Sequence, residues 1–394
     1  MKYRGWVKCD KPWSTLACAF EWRKIHNHVI VEGKPLSEFE SDLPIFIDGS
    51  NNGIQHLTAL ALDKESAPLV NLDATQEDAV PGDIYMFIAN KCWETIEGVD
   101  AQVPEEVKAE LPRLVAENNE LKKRYKVAEG RKAKDEVYKE IVQWRTENRE
   151  YNKALWASFW LLVTGASTRR KCIKRPVMTL GYGVTLSGVR EQLFDDTKNL
   201  TENLTYKEKV WVSPMGDLVY NTCYQELEGP AAMLTLFKKL AERSNAQNKF
   251  LSWTVPMTNF PVVQAYEEPT KTQVNVTFQG KRMQLTVQKY EDKKLSRKDQ
   301  TAGAAPNLVH SLDAAHLTMV TVGTDFPVTM VHDSFGCHAG NMPDLFRIVR
   351  EKFVELYQSD PLVQILAQLD ALDLLPERGE LNLEDIMFSD FAFC

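Results

Sequence analysis

The hydrophobic positions along the chain predict short strands set among longer helical stretches. The apolar run LPIFI at 43–47 stops at the turn-forming segment DGSNNG, which predicts a buried strand that ends in a carboxylate. The run PVTMV at 327–331 predicts a second buried strand, followed by a carboxylate in HDSFG. Between 272 and 289 the sequence alternates with period two around Gln279-Gly280, which predicts a β-hairpin.

Helical patterns fill much of the remaining chain. Residues 103–156 are rich in helix formers of mixed charge and are interrupted at Gly130, which predicts two solvated helices joined there. A helix is also expected over about 168–182, and it is open whether Pro176 kinks it. The stretch PNLVHSLDAAHLTMV predicts a further helix that Pro306 opens.

Length and composition indicate a soluble globular protein. The 394 residues allow two or three domains, and 44% of them are hydrophobic. No apolar run approaches the roughly 18 residues that a membrane span needs, so no membrane partner is expected. The seven cysteines are scattered along the chain, which argues against both a disulfide framework and a zinc site.

The net charge of −8 argues at first against nucleic acid as a partner, but its distribution changes that interpretation. Residues 342–394 carry 11 acidic and 4 basic side chains, so nearly all of the net charge lies at this end. Residues 169–175 instead hold five basic side chains with no acidic one. The chain therefore contains one concentrated positive cluster that is free to meet an anionic substrate.

Asp48 and Asp333 each follow a predicted strand. If the two strands are neighbours in one sheet, their carboxylates converge on one point. Phosphoryl transfer uses two divalent cations about 3.5–4 Å apart, and carboxylate oxygens suit Mg²⁺. The alternative is that each is an ordinary turn aspartate.

The positive cluster supplies a second set of candidate residues. Arg170 and Lys174 are four positions apart, so on a helix they share a face that could hold a triphosphate. Lys174 could also donate a proton to a departing pyrophosphate. Tyr182 offers a flat ring and one hydroxyl at the end of this helix. A basic surface helix with a buried tyrosine is the alternative.

Three segments in order resemble motifs A, B and C of the single-subunit, bacteriophage-type DNA-dependent RNA polymerases: DGSNNGIQH (48–56), RKCIKRPVMTLGYG (170–183) and VHDSFG (331–336). The blocks APNLVHSLDAAHL (305–317) and LNLEDIMFSDFAF (381–393) resemble the same family. The resemblance implies an α+β, right-hand polymerase fold with an antiparallel-sheet palm and mostly helical fingers. The palm would comprise 1–82 and 305–394, the fingers 83–258, and a promoter-specificity hairpin 259–304.

The resemblance also implies roles for individual residues. Asp48 and Asp333 would bind two magnesium ions, with the Gly49 carbonyl as a possible further ligand. Arg170 and Lys174 would contact the incoming triphosphate.

On the sugar side, the resemblance implies that Tyr182 stacks near the nascent base pair and helps to recognise the ribose, while His310 senses its 2′-hydroxyl. A packed helical histidine is the alternative for His310. Tyr85 matches another family tyrosine near the active site.

The hairpin at 272–289 lies where the family has the loop that enters the major groove of the promoter. Its side chains that can read base edges are Gln273, Asn275, Lys281, Arg282 and Gln284. The alternative is a hairpin that only braces the upstream DNA, because the sequence does not show which face meets DNA.

The implied reaction is RNA synthesis from NTPs on a DNA template. Related family A DNA polymerases have a glutamate in motif A that blocks the 2′-hydroxyl, whereas here Gly49 and Ser50 follow Asp48 and leave space. The alternatives are such a DNA polymerase, an inactive nucleic-acid-binding relative, or a metal nuclease, which would not need the residues of motif B.

Whole members of the family are roughly twice as long as this chain. We therefore expect a smaller protein subunit that supplies the N-terminal and thumb elements, so that the chain is the large subunit of a heterodimer. A single-stranded-DNA-binding protein is a further expected partner. The expected location is the cytoplasm of a phage-infected bacterium.

Overall fold

The computed structural model describes residues 5–76, 79–161, 163, 165–200, 209–289 and 294–394. Within these residues the α-helices, in chain order, are α1 (Pro12–His26), α2 (Asn52–Ala61), α3 (Ile84–Ala101), α4 (Glu105–Val127), α5 (Arg131–Glu147), α6 (Arg149–Leu161), α7 (Ala166–Leu180), α8 (Leu186–Leu200), α9 (Lys209–Glu226), α10 (Glu228–Ala246), α11 (Arg297–Gly323), α12 (Met342–Gln358) and α13 (Pro361–Gln368). The strands are β1 (Ile45–Asp48), β2 (Ser252–Val255), β3 (Phe260–Val263), β4 (Thr270–Phe278), β5 (Lys281–Lys289), β6 (Val328–Val331) and β7 (Ser334–Cys337). The expected α+β class with antiparallel sheets is confirmed. No helix among the described residues is long and apolar enough to cross a membrane.

The strands that precede the two candidate aspartates lie in one sheet, but they are not neighbours. The sheet order is β1-β7-β6, and both pairings are antiparallel. The sequence pattern missed β7 because this strand is short and contains a serine and a glycine, which also occur in turns. The aspartates still converge, because Asp48 pairs with Ser334 and Asp333 directly precedes that residue.

The two predicted strands are also less buried than expected. In β1 only Ile47 is buried, while Ile45 and Phe46 are about half exposed. In β6 Val331 is exposed. One face of this small sheet packs on the core, where Phe335 of β7 is fully buried, and the other face of the described sheet remains open.

Helix α2 carries motif A from the end of β1 into the core. Its N-cap is Asn51, whose side chain accepts the Ile54 N–H at 3.4 Å. Every residue of α2 is buried, and the helix packs against α7, α10 and α11. The segment after Asp48 is therefore held by the helices that carry the other candidate residues.

Three helix predictions need correction. Helix α11 begins at Arg297 and not at Pro306, because Ser296 caps it by accepting the Asp299 N–H. Helix α7 ends at Leu180, so Tyr182 follows the helix instead of lying on it. Helices α4 and α5 are joined at Gly130 as expected, but the segment 103–156, for which two helices were predicted, also contains the first part of a third helix, α6.

The predicted β-hairpin is confirmed as β4 and β5. Its turn residues Gln279 and Gly280 both have positive φ, of 47° and 76°, as a two-residue type I′ turn requires. Asn275 pairs with Gln284, and Thr277 pairs with Arg282. Because directly opposed residues share a face, these polar side chains lie on one face of the hairpin.

The opposite face of the hairpin is apolar. Lys281 lies there, because it pairs with Phe278. The exposed hydrophobic side chains of this face are Val274, Phe278, Met283, Leu285 and Val287. The five candidate base-reading residues are therefore divided, with Lys281 on the other face from the remaining four.

Candidate active site

One cavity of about 510 Å³ lies where motif A, α7 and α11 meet. Its volume is within the range of small-molecule sites. Every residue predicted for catalysis, metal binding or substrate binding lines this cavity: Asp48, Gly49, Tyr85, Arg170, Lys174, Tyr182, His310 and Asp333. The fold thus brings together side chains that are far apart in the sequence.

The carboxylates of Asp48 and Asp333 lie at the sheet end of the cavity. Asp48 is the last residue of β1, and Asp333 lies in the two-residue turn between β6 and β7. His332 of this turn has a left-handed φ of 56°, which is uncommon outside glycine. The constrained turn fixes Asp333 beside the end of β1.

The electrostatics of this pair favour a bound cation. Partial burial raises the pKa of both carboxyls, and for Asp333 the nearby Asp48 carboxylate raises the pKa further. A divalent cation would relieve this repulsion. Two carboxylates leave coordination positions for water and phosphate oxygens, an arrangement that Mg²⁺ commonly adopts. The residues present therefore fit the implied metal ions.

Arg170 and Lys174 lie on successive turns of α7, and Tyr85 lies beneath both. The Tyr85 ring centre is 4.9 Å from the Arg170 guanidinium carbon and 5.7 Å from Lys174 Nζ. The ring is thus a flat support that keeps both cations on the cavity side. Burial raises the pKa of Tyr85 to about 12, so its hydroxyl stays protonated at neutral pH.

Asp83 orients Arg170, and sequence reasoning missed it. The Arg170 Nε–H donates to Asp83 Oδ2 at 2.6 Å, while Asp83 Oδ1 accepts the Met86 N–H as the N-cap of α3. The sequence shows an aspartate before a helix, which indicates a cap, but nothing local indicates the ion pair. One carboxylate therefore sets both the start of α3 and the direction of Arg170.

Tyr182 and His310 form a stacked pair on the far side of the cavity. Their ring centres are 4.6 Å apart and the planes differ by 11°. Burial raises the pKa of Tyr182 to about 12 and lowers the pKa of His310. At pH 7 the tyrosine hydroxyl is therefore protonated and the imidazole is neutral, so both can take part in hydrogen bonds with a neutral hydroxyl group.

Gly53 is the motif A residue that lies against the Tyr182 ring, and Gly49 and Ser50 line the same cavity. A Cβ at Gly49 would meet Gln55, and the Ser50 hydroxyl donates to the Val70 carbonyl. A Cβ at Gly53 would lie 3.1 Å from Tyr182 Cζ. The turn geometry after β1, which the sequence does not show, decides which motif A residue meets the ring.

The last residues of the chain hold motif A in place. Asp48 and Cys394 exchange backbone hydrogen bonds of 3.0 Å, and Ser50 N–H donates to the Ala392 carbonyl. The buried Gln55 amide donates to the same Ala392 carbonyl at 2.8 Å. These pairings span more than 300 residues, so no local pattern predicts them.

The chain is similar in sequence to known RNA polymerases over most of its length. Residues 1–372 match the family model described as DNA-dependent RNA polymerase. T7 RNA polymerase of Escherichia phage T7 is 29% identical over 423 residues, which cover 98% of this chain and 43% of the phage protein. The mitochondrial DNA-directed RNA polymerase 1 of Arabidopsis thaliana is 28% identical over a match that covers 99% of this chain and 35% of the Arabidopsis protein. DNA-directed RNA polymerase 2A of Nicotiana tabacum is 29% identical over a match that covers 90% of this chain and 92% of the tobacco protein.

The chain spans less than half the length of the phage and Arabidopsis relatives. The tobacco protein is of similar length to this chain. The matched region contains all three motifs and the whole of the cavity described above.

Proposed function

Because this chain belongs to the family of DNA-dependent RNA polymerases, we propose that it catalyses DNA-directed RNA synthesis by two-metal-ion nucleotidyl transfer. The observation that carries the proposal is that one cavity brings together the Asp48 and Asp333 carboxylates, two cations and a stacked Tyr182–His310 pair. The family A DNA polymerase alternative is not favoured, since the relatives named above are RNA polymerases.

Each side of the cavity would have its own task. Two magnesium ions held by Asp48, Asp333 and the Gly49 carbonyl would activate the attacking 3′-hydroxyl and stabilise the leaving pyrophosphate. Arg170 would bind the triphosphate in the orientation that Asp83 and Tyr85 impose. Lys174 would bind the same triphosphate and give a proton to the departing pyrophosphate.

The proposed architecture is that of a right-hand polymerase. Residues 1–82 and 305–394 would form the palm, since they contribute β1 and the β6–β7 turn with both aspartates. Residues 83–258 would form the fingers, since they contribute α7 with Arg170 and Lys174.

The Tyr182 hydroxyl is proposed to select ribonucleotides. Tyr182→Phe is expected to raise the use of dNTPs relative to NTPs by about tenfold, because it removes a partly buried hydroxyl that is proposed to meet the 2′-hydroxyl. The measurement is single-nucleotide addition to an RNA primer on a DNA template with each sugar. Equal use of both sugars by the unmutated protein would refute ribose selection.

The polar face of the β4–β5 hairpin is proposed to read promoter bases. Arg282→Ala is expected to weaken binding of promoter DNA about tenfold with little effect on unrelated DNA, because Arg282 shares its face with Asn275 and Gln284. Lys281→Ala is the matched control, since Lys281 lies on the apolar face. If Arg282→Ala weakens binding to all DNA sequences equally, Arg282 contacts phosphates instead of bases.

The proposal includes a smaller partner subunit that supplies thumb and N-terminal elements. It is supported by exposed aromatic side chains on α1, where Trp13 is 76%, Phe20 59% and Trp22 71% exposed. Such an apolar surface is typical of a protein interface. A single-stranded-DNA-binding protein is proposed as a further partner, in the cytoplasm of a phage-infected bacterium. Processive elongation by the isolated chain would contradict the need for a subunit.

A further inference from the structure

A buried polar cluster forms part of the cavity wall, and the catalytic scheme above does not use it. It consists of Asn52, His56 and Asp313, which are 4%, 0% and 5% exposed. Asn52 and Asp313 line the cavity beside Tyr182 and His310. Asn52 immediately precedes Gly53, the residue against the Tyr182 ring, and Asp313 lies one turn after His310 on α11.

The charge and hydrogen positions in this cluster follow from its neighbours. His56 Nδ1 is hydrogen-bonded to the Tyr357 hydroxyl, and burial raises the pKa of Tyr357 well above its ordinary value. The hydroxyl therefore remains protonated and is able to donate to Nδ1, and the tautomer that carries its proton on Nε2 suits this bond. His56 Nε2 faces Asp313 Oδ1 at 3.7 Å. This arrangement directs an N–H at the carboxylate and avoids a lone pair there.

Asp313 remains ionised although it is buried. Burial alone would raise the pKa of this carboxyl, but its interactions with His56 and with the Asn52 amide hold it below the ordinary value. An ionised carboxylate only accepts hydrogen bonds, so it favours the orientation of the Asn52 amide that has the NH₂ group on its side. The Asn52 carbonyl oxygen is then directed away from Asp313, and the Asn52 side chain also interacts with Tyr182.

The cluster nevertheless has unused hydrogen-bonding capacity. Asp313 Oδ1 and both polar atoms of the Asn52 amide have no hydrogen-bond partner among the described residues, although all are buried. An unpaired buried polar group destabilises the folded state, so such groups are rare without a functional reason. Here they border the cavity in which the nucleotide sugar is proposed to lie.

We propose that Asn52 and Asp313 are positioning residues for sugar selection, an inference that rests on the proposed RNA polymerase function. Asp313 accepts from the Asn52 NH₂ group, and the Asn52 oxygen accepts the Tyr182 hydroxyl proton when the nucleotide binds. The lone pairs of the Tyr182 oxygen then face the sugar and accept a hydrogen bond from a 2′-hydroxyl. A deoxynucleotide has no hydroxyl at this position and cannot donate that bond.

The test is a double-mutant cycle measured by single-nucleotide addition to an RNA primer on a DNA template. Asp313→Asn keeps the shape of the side chain but removes the charge that fixes the amide orientation. It is expected to lower the preference for NTPs over dNTPs about tenfold, and Asn52→Ala is expected to do the same. In a Tyr182→Phe background neither change should lower the preference further, since the hydroxyl that they orient is absent.

The control variant is Asp325→Asn, which removes an exposed aspartate outside the cavity wall and should leave the preference unchanged. Equal slowing of NTP and dNTP addition by Asp313→Asn and Asn52→Ala would overturn the inference, because it would show a general structural role. Additive losses in the Tyr182→Phe background would also overturn it. If the unmutated protein selects NTPs and both variants keep that preference, the result contradicts this inference. The proposed function is then left intact.

Discussion

Asp333→Asn is expected to lower the rate of nucleotide addition by at least about a thousandfold while the protein remains folded. The carboxylate lies in the turn beside the end of β1, where it and Asp48 are the proposed ligands of both magnesium ions. Loss of one charged ligand removes several kcal/mol of stabilisation from the transition state. The measurement is the rate of single-nucleotide addition at saturating NTP and Mg²⁺. A rate within tenfold of the unmutated protein would contradict the assignment.

The same substitution should raise stability when no divalent cation is present. Burial, together with the Asp48 carboxylate, raises the pKa of Asp333 in the folded protein above its ordinary value of 3.8. A carboxyl with a raised folded-state pKa contributes stability below its ordinary pKa and loses that contribution as the pH rises through the folded-state pKa. At pH 7 the ionised pair is therefore destabilising, and Asp333→Asn should melt at a higher temperature in EDTA. This gain should disappear as the pH falls towards 3.8.

The stability measurement separates a metal site from a structural aspartate. Mg²⁺ should stabilise the unmutated protein more than Asp333→Asn, because binding to the folded state adds to its stability. A lower melting temperature for Asp333→Asn in EDTA would show that the carboxylate supports the fold instead.

Lys174→Met is expected to slow nucleotide addition about a hundredfold, because the cavity loses a cation that binds the triphosphate and the proposed proton donor. Lys171→Met is the matched control, since Lys171 is an exposed lysine on the same helix that does not line the cavity. It should change the rate less than about twofold. Single-nucleotide addition rates across NTP concentrations provide the measurement. Equal losses in the two variants would show that only the general positive charge of α7 matters.

The parts of the site that the sequence predicts are those with a local signature. Arg170 and Lys174 share a face because helix geometry relates positions four apart, and the structure confirms the helix that carries them. The hairpin is similarly predictable, because its period-two pattern lies on both sides of the two-residue turn Gln279-Gly280.

The parts that the sequence does not predict depend on contacts between distant segments. Strand β7 separates β1 from β6, and only the assembled sheet shows that Asp48 lies opposite Ser334. The pairing of Cys394 with Asp48 and the contact of Asp83 with Arg170 are likewise invisible to local patterns. Tertiary packing decides these features.

The prediction of the α11 boundary from the sequence was wrong for a related reason. Pro306 is a good first residue of a helix, yet α11 begins nine residues earlier at Arg297 and continues through the proline. Much of α11 is buried, and this burial offsets the local cost of an interior proline. The same holds for Pro176 in α7, which lies buried within that helix.

DNA-directed RNA synthesis is tested most directly by extension of an RNA primer on a DNA template by the purified protein with Mg²⁺, together with any chains that copurify with it. We expect NTPs to extend the primer according to the template, dNTPs to do so much less, and Asp333→Asn to abolish extension. Template-independent extension, equal extension by Asp333→Asn, or no extension by the unmutated protein would contradict the proposed RNA polymerase function.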